Sequence, residues 1–140
     1  MTTQLPKAKC REILFLLLYA QDFTKEEDLA QVQFISDELK VGARHVRALL
    51  PILALVKEKV EELDKQIEKV STEYELSRIP KVEINILRLA LYELFFDDSI
   101  PPQVAITEGI RLARKFGNQE CYKFVNAILD TLHQEKLTNV

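Results

Sequence analysis

The sequence predicts an all-α protein of about seven helices, and three observations carry that expectation. Only three glycines occur in 140 residues, too few to punctuate the turns of a strand-based architecture. Apolar residues recur at spacings of three and four along most of the chain, the period of an amphipathic helix. The stretch Pro80 to Phe96 is apolar around nearly its whole circumference, with Lys81, Asn85, Arg88 and Tyr92 forming one narrow polar stripe. A helix of that kind is enclosed by other elements, so it is expected at the centre of the domain. With 47% hydrophobic and 29% charged residues, the chain holds enough apolar material for one packed interior under a solvated surface.

The first helix is expected from about Lys7 to Asp22, with Pro6 suited to its first turn. Cys10, Ile13, Leu14, Leu17, Leu18 and Gln21 form its buried face, and Arg11, Phe15 and Tyr19 run along the rim. Lys7, Lys9 and Arg11 precede the first acid, Glu12, and cations there oppose the helix dipole. This basic tip is either a solubilising surface or a phosphate-contacting arm, and the pattern alone leaves both open. Thr24 and Glu27 fit a capping box opening a second helix to about Leu39, with Leu29, Val32, Ile35 and Leu39 inward and an acidic outer face. Gly42 breaks the chain before a long helix, Ala43 to Val70. Pro51 predicts a kink or short break in it at Arg47 to Pro51.

Alternating charges from Lys57 to Lys69 give a solvated face. Ser71 to Ser77 reads as a connector or short helix, with Thr72 and Glu75 as another capping box. Pro80 opens the central helix, and Asp97 to Pro102 ends it, because consecutive prolines cannot continue a helix. The next helix runs from about Gln103 to Phe116 and stops at Gly117, a suitable C′ residue. Its Ala105, Gly109 and Ala113 give a smooth face for close packing. Asn118 is placed to cap the last helix, Gln119 to Gln134, whose stripe is Cys121, Val125, Ile128, Leu129 and Leu132. Residues from Lys136 onward are expected to fray.

Several function classes fall away. Cys10 and Cys121 lie at apolar helical positions without C-x-x-C spacing, which reads as a reduced pair and not a zinc site. No signal sequence is recognisable, and the central helix is too short and too charged to cross a bilayer, so no membrane is expected. A glycine-rich phosphate loop, G-x-S-x-G and H-E-x-x-H are all missing, and His45 and His133 sit in different helices. A lone Glu83 or Glu93 on the central helix is read as paired with an arginine such as Arg88. No enzyme, metal or cofactor is expected; the chain reads as a binding module. Its cations gather at Lys7 to Arg11 and at Arg111 to Lys123. The second cluster sets Arg111, Arg114, Lys115 and Lys123 against Glu120, a local +3 in a chain of net charge −3. Phe15, Tyr19, Phe116, Tyr122 and Phe124 lie close by in sequence. Cations beside aromatic faces suit single-stranded nucleic acid, although aromatics at helical spacing also build cores.

Five blocks then carry a family resemblance: C-R-E-I-L-F-L-L-L-Y (Cys10 to Tyr19), I-L-R-L-A-L-Y-E-L (Ile86 to Leu94), I-P-P-Q-V-A-I-T-E (Ile100 to Glu108), L-A-R-K-F-G (Leu112 to Gly117) and K-F-V-N-A-I-L-D (Lys123 to Asp130). Their order and spacing resemble the NusB family. The resemblance implies two small helical bundles packed into one compact domain over residues 1–140, with an N-terminal half at 1–70 and a C-terminal half at 71–140. It implies a cytoplasmic factor in bacterial transcription antitermination. Such a factor binds single-stranded boxA RNA of ribosomal RNA operons together with the ribosomal protein NusE, and engages the RNA polymerase elongation complex indirectly. By position, Lys7, Lys9 and Arg11 match the family's RNA-contacting segment, Lys123 and Phe124 match another part of that surface, and Glu120 lies beside it. Tyr19 and Glu83 match partner-facing positions. The chain departs from the family in its sparser basic tip, with lysines where arginines are usual; lysine cannot make the same bidentate phosphate contact. Thr107, Ala127 and Pro51 are further departures. A similar domain precedes RNA methyltransferase domains elsewhere; none follows here, which favours the free-standing factor. The alternative is a protein-binding helical scaffold without RNA contact.

Overall fold

The computed structural model describes residues 5–23, 28–72 and 74–138. Among them the chain forms eight α-helices and one 3₁₀ turn, with no strand. It divides into two compact units, Met1–Lys57 and Glu58–Val140.

In the first unit, α1 (Lys7–Gln21) packs on α2 (Asp28–Leu39), and α2 packs on α3 (Ala43–Arg47). Ile13, Leu14, Leu17 and Leu18 of α1 are buried, as are Val32 and Ile35 of α2 and Val46 of α3. These are the positions that the three- and four-residue spacing selects. The capping box at Thr24 and Glu27, and the side chain of Leu29, lie outside the described residues. The single long helix over residues 43–70 is replaced by three: α3, α4 (Leu50–Glu58) and α5 (Val60–Val70). A turn at Ala48 and Leu49 makes the expected first break. Pro51 then falls in the first turn of α4, where a backbone N–H has no helical acceptor and its loss costs nothing. The proline starts a helix; it does not bend one. A second break, not expected from the sequence, occurs at Lys59, whose φ of −101° and ψ of 1° leave the helical range.

In the second unit, α6 (Lys81–Phe96) packs against α5, α7 (Pro102–Phe116) and α8 (Gln119–Thr138). The enclosed helix of the sequence reading is therefore the core of this unit. Its polar stripe has a structural use. Arg88 donates from Nε and Nη2 to the two carboxylate oxygens of Asp64 on α5, each at 2.8 Å. From Nη1 it also donates to Asn85 Oδ1 at 3.2 Å, while Asn85 Nδ2 donates to the Lys81 carbonyl at 2.9 Å. Asn85 is fully buried, so this chain of bonds satisfies an amide that would otherwise be costly. Arg88 thus clamps Asp64 on α5, a partner the sequence reading did not name. The Thr72–Glu75 capping box does not form; Glu75 precedes the 3₁₀ turn Leu76–Arg78 without a side-chain cap, and Ser71 Oγ donates to the Tyr74 carbonyl. At the far end α8 continues to Thr138 where fraying was expected. Lys136 Nζ donates to the Leu94 carbonyl at 2.6 Å, placing a cation on the C-terminal turn of α6, where the helix dipole favours it.

Gly117 ends α7 at the expected place for a different reason. Its φ is −113°, not left-handed, so a C′ role does not require glycine. Space does: a Cβ there would lie 2.4 Å from Cys121 Sγ and 3.0 Å from the Ala113 carbonyl oxygen. Gly117→Ala is expected to destabilise by about 1–3 kcal/mol through overpacking. Urea unfolding checks this, and Cys121→Ala in the same chain should recover little of the loss, because the Cβ of residue 121, 2.6 Å from the added methyl, remains. Cys121 can act only as packing here, because burial, then the nearby Glu83 carboxylate, pushes its thiol up to about 12.

Candidate nucleic-acid and partner interface

The site residues expected from the sequence divide between the two units. In the first, Lys7 at the start of α1 is exposed, and Lys9 reaches Glu12 at 3.3 Å. Arg11 does not present its charge to solvent. It is 7% exposed and engaged within the protein, because it shares a helix face with Leu14, Phe15 and Leu18, three, four and seven residues on. The accessible part of the basic tip is Lys7 with Lys9. Further along α1, Tyr19 is half-buried between Phe15 (centroids 5.8 Å) and Phe23 (4.8 Å, edge-on). Phe15 is in the core and Phe23 is 64% exposed, so the three rings lead from interior to surface.

In the second unit the α7–α8 corner collects the remaining cations. Asn118 caps α8 as expected, its Oδ1 accepting the Cys121 N–H at 2.8 Å. The Arg114 guanidinium carbon lies 4.4 Å from the centroid of the Tyr122 ring, a cation–π pair that bridges the two helices. Arg114, Gly117, Asn118, Gln119 and Tyr122 line a concavity of about 360 Å³. Lys123 is exposed on the next turn, and neither it nor Arg114 forms an ion pair among the described residues.

Phe124 departs from the expected surface role. It is 8% exposed, on the buried face that α8 shares with Cys121 and Ile128, and its ring meets Tyr74 edge-on at 5.5 Å. A base cannot reach the face of Phe124 in this arrangement; Tyr74, which is 40% exposed, is the accessible ring of that pair.

Glu83 sits in the first turn of α6 and is buried. Burial pushes its carboxyl above the ordinary value of 4.5, and the charge of Glu120 on α8 adds to the shift. It makes no ion pair or hydrogen bond among the described residues. No cation among the described residues pairs with Glu83 to offset these two effects. No group of three or more His, Cys, Asp or Glu among the described residues is arranged to hold a metal. No helix among them is long and apolar enough to cross a membrane.

Sequence reasoning missed the Arg114–Tyr122 pair and Tyr74. The first joins two helices across a turn, and only the basic run around Phe116 and Gly117 hints at it. The second lies in a connector where periodicity says nothing.

Comparison with known proteins places the chain. The profile of the NusB family matches residues 8–134, spanning both compact units. The transcription antitermination protein NusB of Agathobacter rectalis is 36% identical over 125 residues, covering 88% of this chain and 95% of that one. NusB of Geobacter sulfurreducens is 35% identical over 123 residues, covering 87% and 89%. Among solved structures, NusB of T. maritima matches with a TM-score of 0.81 at 30% identity, over 95% of this chain and 94% of that one. A structure of the antitermination factors NusB and NusE in complex with dsRNA matches with a TM-score of 0.77 at 25% identity, over 92% and 96%. Similarity on this scale, in sequence and fold together and over nearly the whole chain, shows that this protein belongs to the NusB family.

Proposed function

We propose that this protein is a transcription antitermination factor. It binds boxA-type single-stranded RNA jointly with the ribosomal protein NusE, and so links nascent ribosomal RNA to the elongating polymerase in the cytoplasm. In this reading it is a binding protein and not an enzyme, and residues 1–140 work as one domain. The relatives that carry the name act in transcription antitermination, and one solved NusB relative is held with NusE and dsRNA. The observation on this chain that carries the reading is the α7–α8 corner. There two exposed cations, Arg114 and Lys123, form no ion pair among the described residues, in a protein whose net charge is −3. Unneutralised cations beside an aromatic ring and side-chain amides complement phosphate and bases. Lys7 adds an exposed cation in the first unit.

Glu83 and Tyr19 supply the partner contacts. A carboxylate with no ion pair or hydrogen bond among the described residues is an acceptor that a lysine, arginine or hydroxyl of NusE would satisfy. Calorimetry with NusE alone tests this: Glu83→Lys is expected to weaken the complex tenfold or more, and unchanged affinity would remove Glu83 from the contact. The raised carboxyl value also has a consequence for stability. The folded protein holds the Glu83 proton more tightly than the unfolded chain does. Its contribution is therefore favourable below about pH 4.5 and is lost as pH rises through the folded value. Glu83→Gln is thus expected to raise the melting temperature at pH 7 and to leave it unchanged below about pH 4.

The second reading, a protein-binding scaffold without RNA contact, draws on the burial of Arg11 and Phe124 and on the Lys9–Glu12 pair, which thin the expected RNA surface. NusE binding with no RNA binding under any condition would favour it.

A further inference from the structure

We propose that the concavity at the α7–α8 corner is a subsite for one unstacked nucleotide of single-stranded RNA. The base packs on the Arg114–Tyr122 pair, its edge meets the amides of Asn118 and Gln119, and its phosphate meets Lys123. This rests on the reading of the protein as an RNA-binding factor and names the residues that would take hold of a base.

Four features converge on it. Arg114 is held over the Tyr122 ring at 4.4 Å and forms no ion pair among the described residues, so a guanidinium stands ready beside an aromatic without being neutralised. Planar guanidinium groups and aromatic rings are the surfaces on which splayed bases stack. The concavity of about 360 Å³ falls in the range of small-molecule sites, and no carboxylate lines it. Asn118 commits its Oδ1 to the Cys121 N–H, which fixes the amide and leaves Nδ2 to donate to a base edge. Gln119, exposed beside it, brings a second amide with both a donor and an acceptor. Lys123, the next residue of α8, is exposed and forms no ion pair among the described residues, so it is a cation open to a backbone phosphate. Phe124, the aromatic expected to contact RNA, is turned inward, and Tyr122 is the ring that this corner offers in its place.

The occupant follows from that chemistry. A duplex hides its base faces, so it would leave the Arg114–Tyr122 stack and the amides unused. An acidic peptide would pair with Arg114 but leave the Tyr122 face unused and quench no base fluorescence. Arg114→Lys, which keeps the charge and removes the plane, separates a stacked base from simple charge attraction.

The test uses the full chain with NusE and a boxA-type RNA carrying 2-aminopurine at one position at a time. Wild-type protein is expected to quench the fluorescence of one position. Arg114→Lys and Tyr122→Leu should abolish that quenching and weaken RNA binding roughly tenfold or more, with NusE binding unchanged. RNA binding by the wild type with no position quenched, or with both variants binding as wild type, would overturn the subsite and leave the RNA-binding reading standing. Loss of affinity in Arg114→Ala but not in Arg114→Lys would also overturn it, since charge alone would then suffice. Loss of NusE binding in the variants would make the corner a protein contact and overturn it. No RNA binding by wild type would overturn both the subsite and the reading beneath it. Should Tyr122→Leu fail to fold, the exposed Arg114→Lys decides alone.

Discussion

Replacing Arg88 with Ala is expected to destabilise the second unit by about 3 kcal/mol, with a fall in melting temperature on the order of 10 °C. The guanidinium meets the Asp64 carboxylate with two bonds of 2.8 Å, and the two side chains are only 13% and 17% exposed. Removing it strands a carboxylate in a largely dry contact between α5 and α6. It also takes a donor from Asn85, which is wholly buried. Leaving one charge of such a pair unpaired costs more than the pair contributes against apolar replacements. Arg88→Met combined with Asp64→Leu should therefore be much less destabilised than either single change. Arg88→Lys should fall between wild type and Arg88→Ala, because an ammonium cannot form both bonds in one plane. Urea unfolding of wild type, Arg88→Ala, Arg88→Lys, the double variant and its two single changes measures this. Equal stability of Arg88→Ala and wild type would show that the clamp is ornamental.

Lys123→Glu is expected to weaken RNA binding tenfold or more at low salt while leaving the unfolding transition where it was. Lys123 is exposed and has no ion-pair partner among the described residues, so the fold does not depend on it. For RNA, the change removes one phosphate contact and adds a charge that repels the backbone. The slope of log affinity against log salt should become shallower by about 0.7 for the lost contact to a single strand. Arg11→Glu makes the instructive contrast. Arg11 is buried and lies next to the buried Glu12, so its reversal should lower stability first, and any loss of RNA binding would follow from that. Fluorescence anisotropy with labelled RNA, beside thermal unfolding by circular dichroism, separates the two cases.

The helical architecture was legible because the burial pattern is regular. Ile13, Leu17, Leu87, Leu91, Val125 and Leu129 are all at positions where a period of 3.6 puts them inside, and all are buried. Prolines 80 and 101 and Asn118 stand immediately before α6, α7 and α8. Breaks were harder to read. Pro51 announces an interruption, yet the same residue suits the start of a helix equally well, and only the turn at Ala48 and Leu49 decides between them. Lys59 interrupts the chain between two charged, helix-favouring stretches with no glycine or proline nearby, so nothing local marked it.

The candidate site was less legible than the fold, because its parts face one another across helices. Rim positions are where periodicity fails: Arg11 and Phe124 each sit about a quarter of the way round from the centre of a stripe. Neighbouring helices decide whether such residues are covered. Charge clustering did locate the α7–α8 corner, since Arg114 and Lys123 were in the basic group from the outset. It could not show that Arg114 rests on Tyr122, nor that Glu83 is buried with no ion pair among the described residues. Those depend on how three helices of the second unit come together.

The central claim is that RNA and NusE bind this protein together, with the RNA read as a single strand. Anisotropy of a labelled boxA-type RNA and of a scrambled RNA of the same composition, each with and without NusE and across a salt series, measures it most directly. With NusE present, the boxA-type RNA should bind at least tenfold more tightly than the scrambled one, and both affinities should fall steeply with salt. Equal affinity for the two RNAs under every condition would contradict the account.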